Sequence, residues 1–162
     1  RRAQKMLYEL YSGKMMSVCL RYCKERETAR DLLHDGFLKV FSHIADYEGK
    51  GSFEGWIRRI MVNTALEYIR KQSDEGYKMN IEEAYTLSNN DIGALEKMQA
   101  EEIISLIQGL PAIYRTVFNL FIIEGYSHKE IADEMNITES SSRVYLTRAK
   151  QLLKDMLVVD KK

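Results

Sequence analysis

Very little in this chain can stop a helix: 162 residues contain one proline and nine glycines. No stretch alternates apolar with polar side chains as a half-buried strand does, so the scarcity of breakers favours an all-α fold. No apolar run approaches the roughly 18 residues of a membrane span, and no signal peptide is visible. Membrane insertion is therefore not expected, and the cytoplasm is the expected compartment. Cysteine is scarce as well. Cys19 and Cys23 stand one helical turn apart, and none of the three histidines is adjacent to them in sequence. That is too few ligands for a metal site and fits buried, reduced thiols. Excess charge of either sign is missing, since Lys plus Arg and Asp plus Glu number 24 each. Attraction to phosphate must then come from local patches, or from a larger assembly that the chain joins. The glycine-rich turn DYEGKGS, Asp46 to Ser52, lacks nucleotide-binding spacing and follows no strand, so no cofactor is expected. The chain opens at Arg1 rather than methionine, from which a preceding segment is expected.

What is present is organised around Tyr126 to Leu153, YSHKEIADEMNITESSSRVYLTRAKQLL. Ser127 with Glu130 three residues on forms a capping box for a first short helix, whose inward stripe is Ile131, Ala132 and Met135. Asn136 sits where the chain must turn and tolerates a left-handed backbone, and Thr138 caps a second helix. On that helix Leu146, Ala149 and Leu153 share one face. The opposite face carries Ser140, Ser141, Val144, Thr147, Arg148 and Gln151, flanked by Arg143 and Tyr145. Hydroxyl, methyl and guanidinium groups on the outward side of a helix-turn-helix suit a DNA major groove. An ordinary helical hairpin with a solvated outer face has the same pattern.

Upstream, Gln4 to Tyr11 and Lys14 to Lys24 read as two helical pieces broken near Gly13. Thr28 then caps a helix from Ala29 to about Ala45, with Leu33, Phe37, Val40, Phe41 and Ile44 inward. Asp31 and Asp35 put two carboxylates on one side of it, bordered by Leu32. His34 lies between them but about 100° around the helix from Asp35, which argues against an acid/base or metal site and for a docking face or a solvated one. Ser52 caps the next helix, Phe53 to Lys71. Trp56, Arg59, Asn63 and Arg70 align along one side of it. An indole, an amide and two guanidiniums in a row can stack on an unpaired base, bond its edge and neutralise phosphates. The same residues would also result from a core tryptophan with snorkelling arginines. From Gln72 to Gly93 the chain turns polar and acidic and reads as a flexible linker. Two helical domains follow, 1–71 and 94–162. In the second, a helix from Ala94 to about Gln108 precedes Leu110-Pro111, and Pro111 starts a helix over Ala112 to Glu124 that Gly125 ends. Val117, Phe118, Leu120, Phe121, Ile122 and Ile123 make that helix apolar on more than one face, a surplus that could meet a partner.

The order and spacing of these pieces resemble the sigma-70 family of bacterial RNA polymerase sigma factors, and within it the short extracytoplasmic-function (ECF) group, which keeps only regions two and four. DLLHDGFLKVF (Asp31 to Phe41) is similar to region 2.2, and FEGWIRRIMVNTALEYIRK to regions 2.3 and 2.4. LPAIYRTVFNLFIIEGYSHKEIADEMNITESSSRVYLTRAKQLL is similar to region 4. The resemblance implies a region 2 helical bundle and a region 4 helix-turn-helix domain, with core RNA polymerase and promoter DNA as partners. An anti-sigma factor is a further candidate partner. It implies that Asp31, Leu32, Asp35 and Phe37 dock on the polymerase clamp helices and that Phe118, Phe121 and Ile122 dock on the flap. The loop carrying Tyr47, Gly49, Lys50, Ser52 and Phe53, with Asn63, would receive a base flipped from the −10 non-template strand, while Trp56, Arg59 and Arg70 support strand separation. Ser140, Ser141, Arg143, Val144, Tyr145, Thr147 and Arg148 would face the −35 duplex. No catalytic residue is implied, so the chain is expected not to be an enzyme.

Departures from the pattern matter. Ser142 stands where an aliphatic residue is usual, which predicts a looser core under the recognition helix. Ser140 replaces a frequent glycine, Lys150 a frequent arginine and Glu67 a frequent aspartate. The recognition face is poor in arginine, which shifts −35 affinity toward shape and phosphate contacts. The competing functional reading is a stand-alone helix-turn-helix regulator whose N-terminal half dimerises or senses a ligand.

Overall fold

The computed structural model describes residues 1–74 and 99–160 and divides into two compact units, Arg1–Glu75 and Gly76–Lys162. Among the described residues every regular element is helical. The stretch expected to be a linker, 72–93, and the expected helix start at Ala94 fall largely outside the described residues. Gln72, Ser73 and Asp74 still belong to the preceding helix, which runs past its expected end at Lys71.

The first unit is a three-helix bundle of α1 (Arg2–Tyr22), α2 (Arg26–His43) and α3 (Phe53–Asp74), in which each helix packs on the other two. Its core is built from Met15, Val18, Cys19 and Tyr22 of α1, Ala29, Leu33, Phe37 and Val40 of α2, and Ile57, Met61, Val62, Ala65 and Leu66 of α3. Gly36 lets α2 approach α3, because a side chain there would collide with the Met61 thioether. Helix α1 is continuous through Gly13. One exposed glycine costs a helix only about 1 kcal/mol relative to alanine, and the buried stripe from Met15 to Tyr22 more than offsets it. Helix α2 starts earlier than expected, with Glu25 as N-cap and Thr28 inside the first turn. It gives way at Ile44–Asp46 to a 3₁₀ turn that leaves Ile44 exposed rather than in the core.

The second unit comprises α4 (Ala100–Gln108), α5 (Ala112–Phe118), a π-helical turn (Asn119–Ile123), α6 (His128–Met135) and α7 (Glu139–Asp160). Helix α7 is the long element, and α4, α5 and α6 all pack on it. Pro111 is the N-cap of α5. The buried Arg115 guanidinium donates to the Gln108 carbonyl at 3.2 Å and the Leu110 carbonyl at 2.8 Å, closing the end of α4. The helix expected over Ala112 to Glu124 widens at Asn119 instead. The amides of Glu124 and Tyr126 reach back to the Asn119 and Leu120 carbonyls, and Gly125 follows at φ 76°. The wide turn keeps Leu120 in the core and leaves Phe121, Ile122 and Ile123 half-buried.

Candidate nucleic-acid interface

In the first unit the loop after α2 is shaped by aromatics. The Tyr47 hydroxyl donates to the Gly51 carbonyl at 2.8 Å, and Gly49 and Gly51 take φ of 79° and 75°, values that need glycine. Under the loop, Phe53 stacks on Trp56 with centroids 5.7 Å apart, and Tyr47 and Tyr11 close on Phe53 from its edges. Ser52 caps α3 as expected, accepting from the Gly55 amide at 3.0 Å. Lys14 of α1 holds Glu54 in the first turn of α3 at 2.8 Å, and the Glu54 carboxylate raises the Lys14 pKa above its ordinary value. The loop therefore rests on a braced aromatic base, and Trp56 belongs to that base. Farther along α3, Arg59 and Asn63 are exposed one turn apart, with Arg70 half-buried two turns on. Glu67 lies in the same stripe, where its charge would repel a phosphate. Lys39 of α2 neutralises it at 2.8 Å and reaches the Thr64 hydroxyl at 3.2 Å.

The outward face of α2 differs from its expected composition. Asp31 and Asp35 are exposed, but Leu32 and Phe37 are in the core, 4% and 2% exposed. The side chains that share the face with the two carboxylates are His34 and Leu38, the latter 52% exposed. Positions 31, 34, 35 and 38 form a single helical stripe. Steps of three and four from Asp31 in the sequence give that stripe, complementary to the inward apolar set of Leu33, Phe37 and Val40. Phe118 is likewise buried, so the apolar surface at the π turn consists of Phe121 and Ile122 with Ile123.

The helix-turn-helix forms as its residues dictate. The reciprocal capping box of Ser127 and Glu130 is present, Asn136 is left-handed at φ 54° and ψ 48°, and Thr138 accepts from the Ser141 amide at 3.0 Å. Leu146, Ala149 and Leu153 are buried. Outward on α7 lie Ser140, Arg143, Val144 and Thr147, with Ser141 and Tyr145 half-buried. Arg143 rests against Glu139 at 3.8 Å. Two residues assigned to that face sit differently. Arg148 is half-buried and donates to the Tyr114 hydroxyl at 3.4 Å, while Gln151 is buried and donates to Asp155 at 3.1 Å. Ser142 is fully buried rather than a gap, its hydroxyl 2.9 Å from His128 Nδ1.

Residues 7–75 match the family model for sigma-70 region 2, and residues 100–153 match that for sigma-70 region 4. The chain belongs to the sigma-70 family. Among curated relatives, the sigma factor is 26% identical over 158 residues to the ECF RNA polymerase sigma factor SigM of Bacillus subtilis, covering 91% of each chain. It is 26% identical to the ECF RNA polymerase sigma-E factor of Haemophilus influenzae, over 97% of this chain and 88% of that one. In fold it is similar to the sigma factor RpoE, solved in complex with the anti-sigma factor NepR from Bartonella quintana, with a TM-score of 0.56, 17% identity and 99% of each chain covered. The sigma factor is thus of the ECF type and works in promoter-directed transcription initiation. The two matches in series, one per unit, set aside the stand-alone regulator. Sigma factors are initiation factors and not themselves enzymes. Among the described residues no helix is long and apolar enough to cross a membrane, and no three His, Cys, Asp or Glu side chains gather as metal ligands.

Proposed function

We propose that the first unit docks on the clamp helices of core RNA polymerase through Asp31, His34, Asp35 and Leu38. It then captures the unpaired −10 strand with the loop Tyr47 to Phe53, Arg59, Asn63 and Arg70. The second unit lays α7 in the −35 major groove. Arg143, Val144, Tyr145 and Thr147 face bases and phosphates, and Phe121 and Ile122 rest on the flap. Arg148 supports the recognition helix from Tyr114. Region 2 thereby extends to Asp74, region 4 occupies the second unit, and the segment between them acts as a tether. The chain hydrolyses nothing: opening is driven by trapping unstacked bases on a preformed surface. It acts in the cytoplasm. An anti-sigma protein that covers the docking faces belongs to this reading, because a solved structure of similar fold is a sigma factor bound to an anti-sigma factor.

The observation that carries the −10 assignment is the exposed Arg59–Asn63 pair beside a loop stiffened by four aromatic rings. The test separates docking from opening. Asn63→Ala should leave binding to core polymerase intact and cut permanganate reactivity of −10 thymines about tenfold, the loss of one or two base hydrogen bonds. Leu38→Asp should weaken core binding about tenfold or more while the folded monomer is unchanged, since the side chain is mostly in solvent. Wild-type opening by the first variant and wild-type docking by the second would remove these assignments.

A further inference from the structure

His128 stands in the first turn of α6 with three constraints on its ring. One face stacks on Phe121 of the π turn, centroids 4.4 Å apart and planes 20° from parallel. Its Nδ1 is 2.9 Å from the hydroxyl of Ser142, a residue with no solvent exposure in the recognition helix. Its backbone follows the Ser127 cap, so the ring sits at the positive end of α6. The contact that the buried Ser142 side chain makes is a polar one, and His128 supplies it.

The charges around the ring favour its neutral form. Burial first and the Arg143 guanidinium of α7 second hold its pKa below the ordinary histidine value; Glu139 of α7 opposes them, and Lys150 of α7 adds a smaller depression. The π turn, NLFII, contributes no titratable side chain. On α6 itself the Glu130 carboxylate is engaged by the Ser127 amide. A depressed pKa means that the folded arrangement binds the proton less readily than free histidine does. The stabilisation is complete above about pH 6.5 and is lost as pH falls through the lower folded value.

We propose that His128 is a positioning residue for −35 recognition: clamped between Phe121 and Ser142, its neutral ring sets the seat of α7 and ties it to the apolar patch at the π turn. The inference rests on the reading of α7 as the −35 helix. Protonation puts a cation beside Arg143, Lys150 and the positive end of α6, a repulsion that outweighs the attraction of the Phe121 face, and the ring leaves the clamp. Duplex reading then weakens on acidification, and contact of a partner with Phe121 strengthens it.

The test uses the full chain bound to core RNA polymerase. It reads the ratio of affinities for promoter duplexes with an intact and a scrambled −35 element, between pH 7.8 and 5.8. The wild-type ratio should fall on acidification, by no more than about sixfold, the limit that the ordinary histidine pKa sets at pH 5.8. The double variant His128→Phe with Ser142→Ala keeps the stack and leaves no buried hydroxyl, and its ratio should not change with pH. His128→Asn, which offers a non-titrating amide near the Nδ1 position, should also be flat and serves if the double variant does not fold. A wild-type ratio of one at pH 7.8 would overturn the −35 reading itself. A ratio above one that falls equally in wild type and variants, that rises on acidification, or that stays constant in the wild type, as phosphate attraction common to both duplexes would give, overturns the role of His128.

Discussion

Cys19 and Cys23 show how single side chains follow their surroundings. Both are buried, no disulfide joins them, and the Cys23 thiol donates to the Cys19 carbonyl at 3.1 Å. Burial first, and Cys23 second, push the Cys19 thiol up to about 12, so it stays protonated at neutral pH and is neither nucleophile nor ligand. Iodoacetamide should therefore leave Cys19 unmodified in the folded protein and label both thiols once the chain unfolds; rapid native labelling would contradict the packing of α1. Which residues face inward was legible wherever an apolar stripe was unambiguous, as at Leu146, Ala149 and Leu153. It was not legible where a helix carries apolar residues on two sides. On α2, Leu32 and Leu38 are the same residue type, and only the contacts of α1 and α3 decide that Leu32 goes in and Leu38 stays out. The Ser142 contact was not legible for a related reason: its partner His128 is fourteen positions away, beyond any local pattern.

Among the elements, those set by near neighbours were readable and those set by tertiary contact were not. The capping box, the Thr138 cap and the Asn136 turn depend on residues within three or four positions, and all form as expected. Continuity of α1 through Gly13 and the π turn depend on packing, which no propensity reports. The Asn136 turn makes a direct prediction. Asn136→Gly should be nearly neutral, whereas Asn136→Val should destabilise the second unit by about 1–2 kcal/mol, the cost of a left-handed backbone for a β-branched residue without asparagine's short polar side chain. Thermal unfolding of the two variants checks it, and equal stability would mean that this turn does not hold α6 and α7 in register. The loop after α2 is a mixed case. Its glycines and aromatics were visible, and the brace of Tyr47 on Gly51 and the stack of Phe53 on Trp56 are local, but the edge contact of Tyr11 on Phe53 emerges only when α1 packs against α3.

For the molecule as a whole, balanced charge is the informative quantity. A chain with 24 cationic and 24 anionic residues has no overall field to pull it onto DNA. The surfaces proposed for nucleic acid are short stripes, and one of them contains a carboxylate, Glu67, that Lys39 neutralises. Two small helical units, each carrying one modest surface, gain affinity and spacing selectivity only when a third body holds both at once. The direct test of that claim is run-off transcription from a promoter library by core RNA polymerase with and without the purified chain. The account predicts new, discrete start sites that appear only when chain and core are combined, with weak duplex binding by the chain alone. Unchanged start sites, or tight and specific duplex binding by the isolated chain, would contradict it.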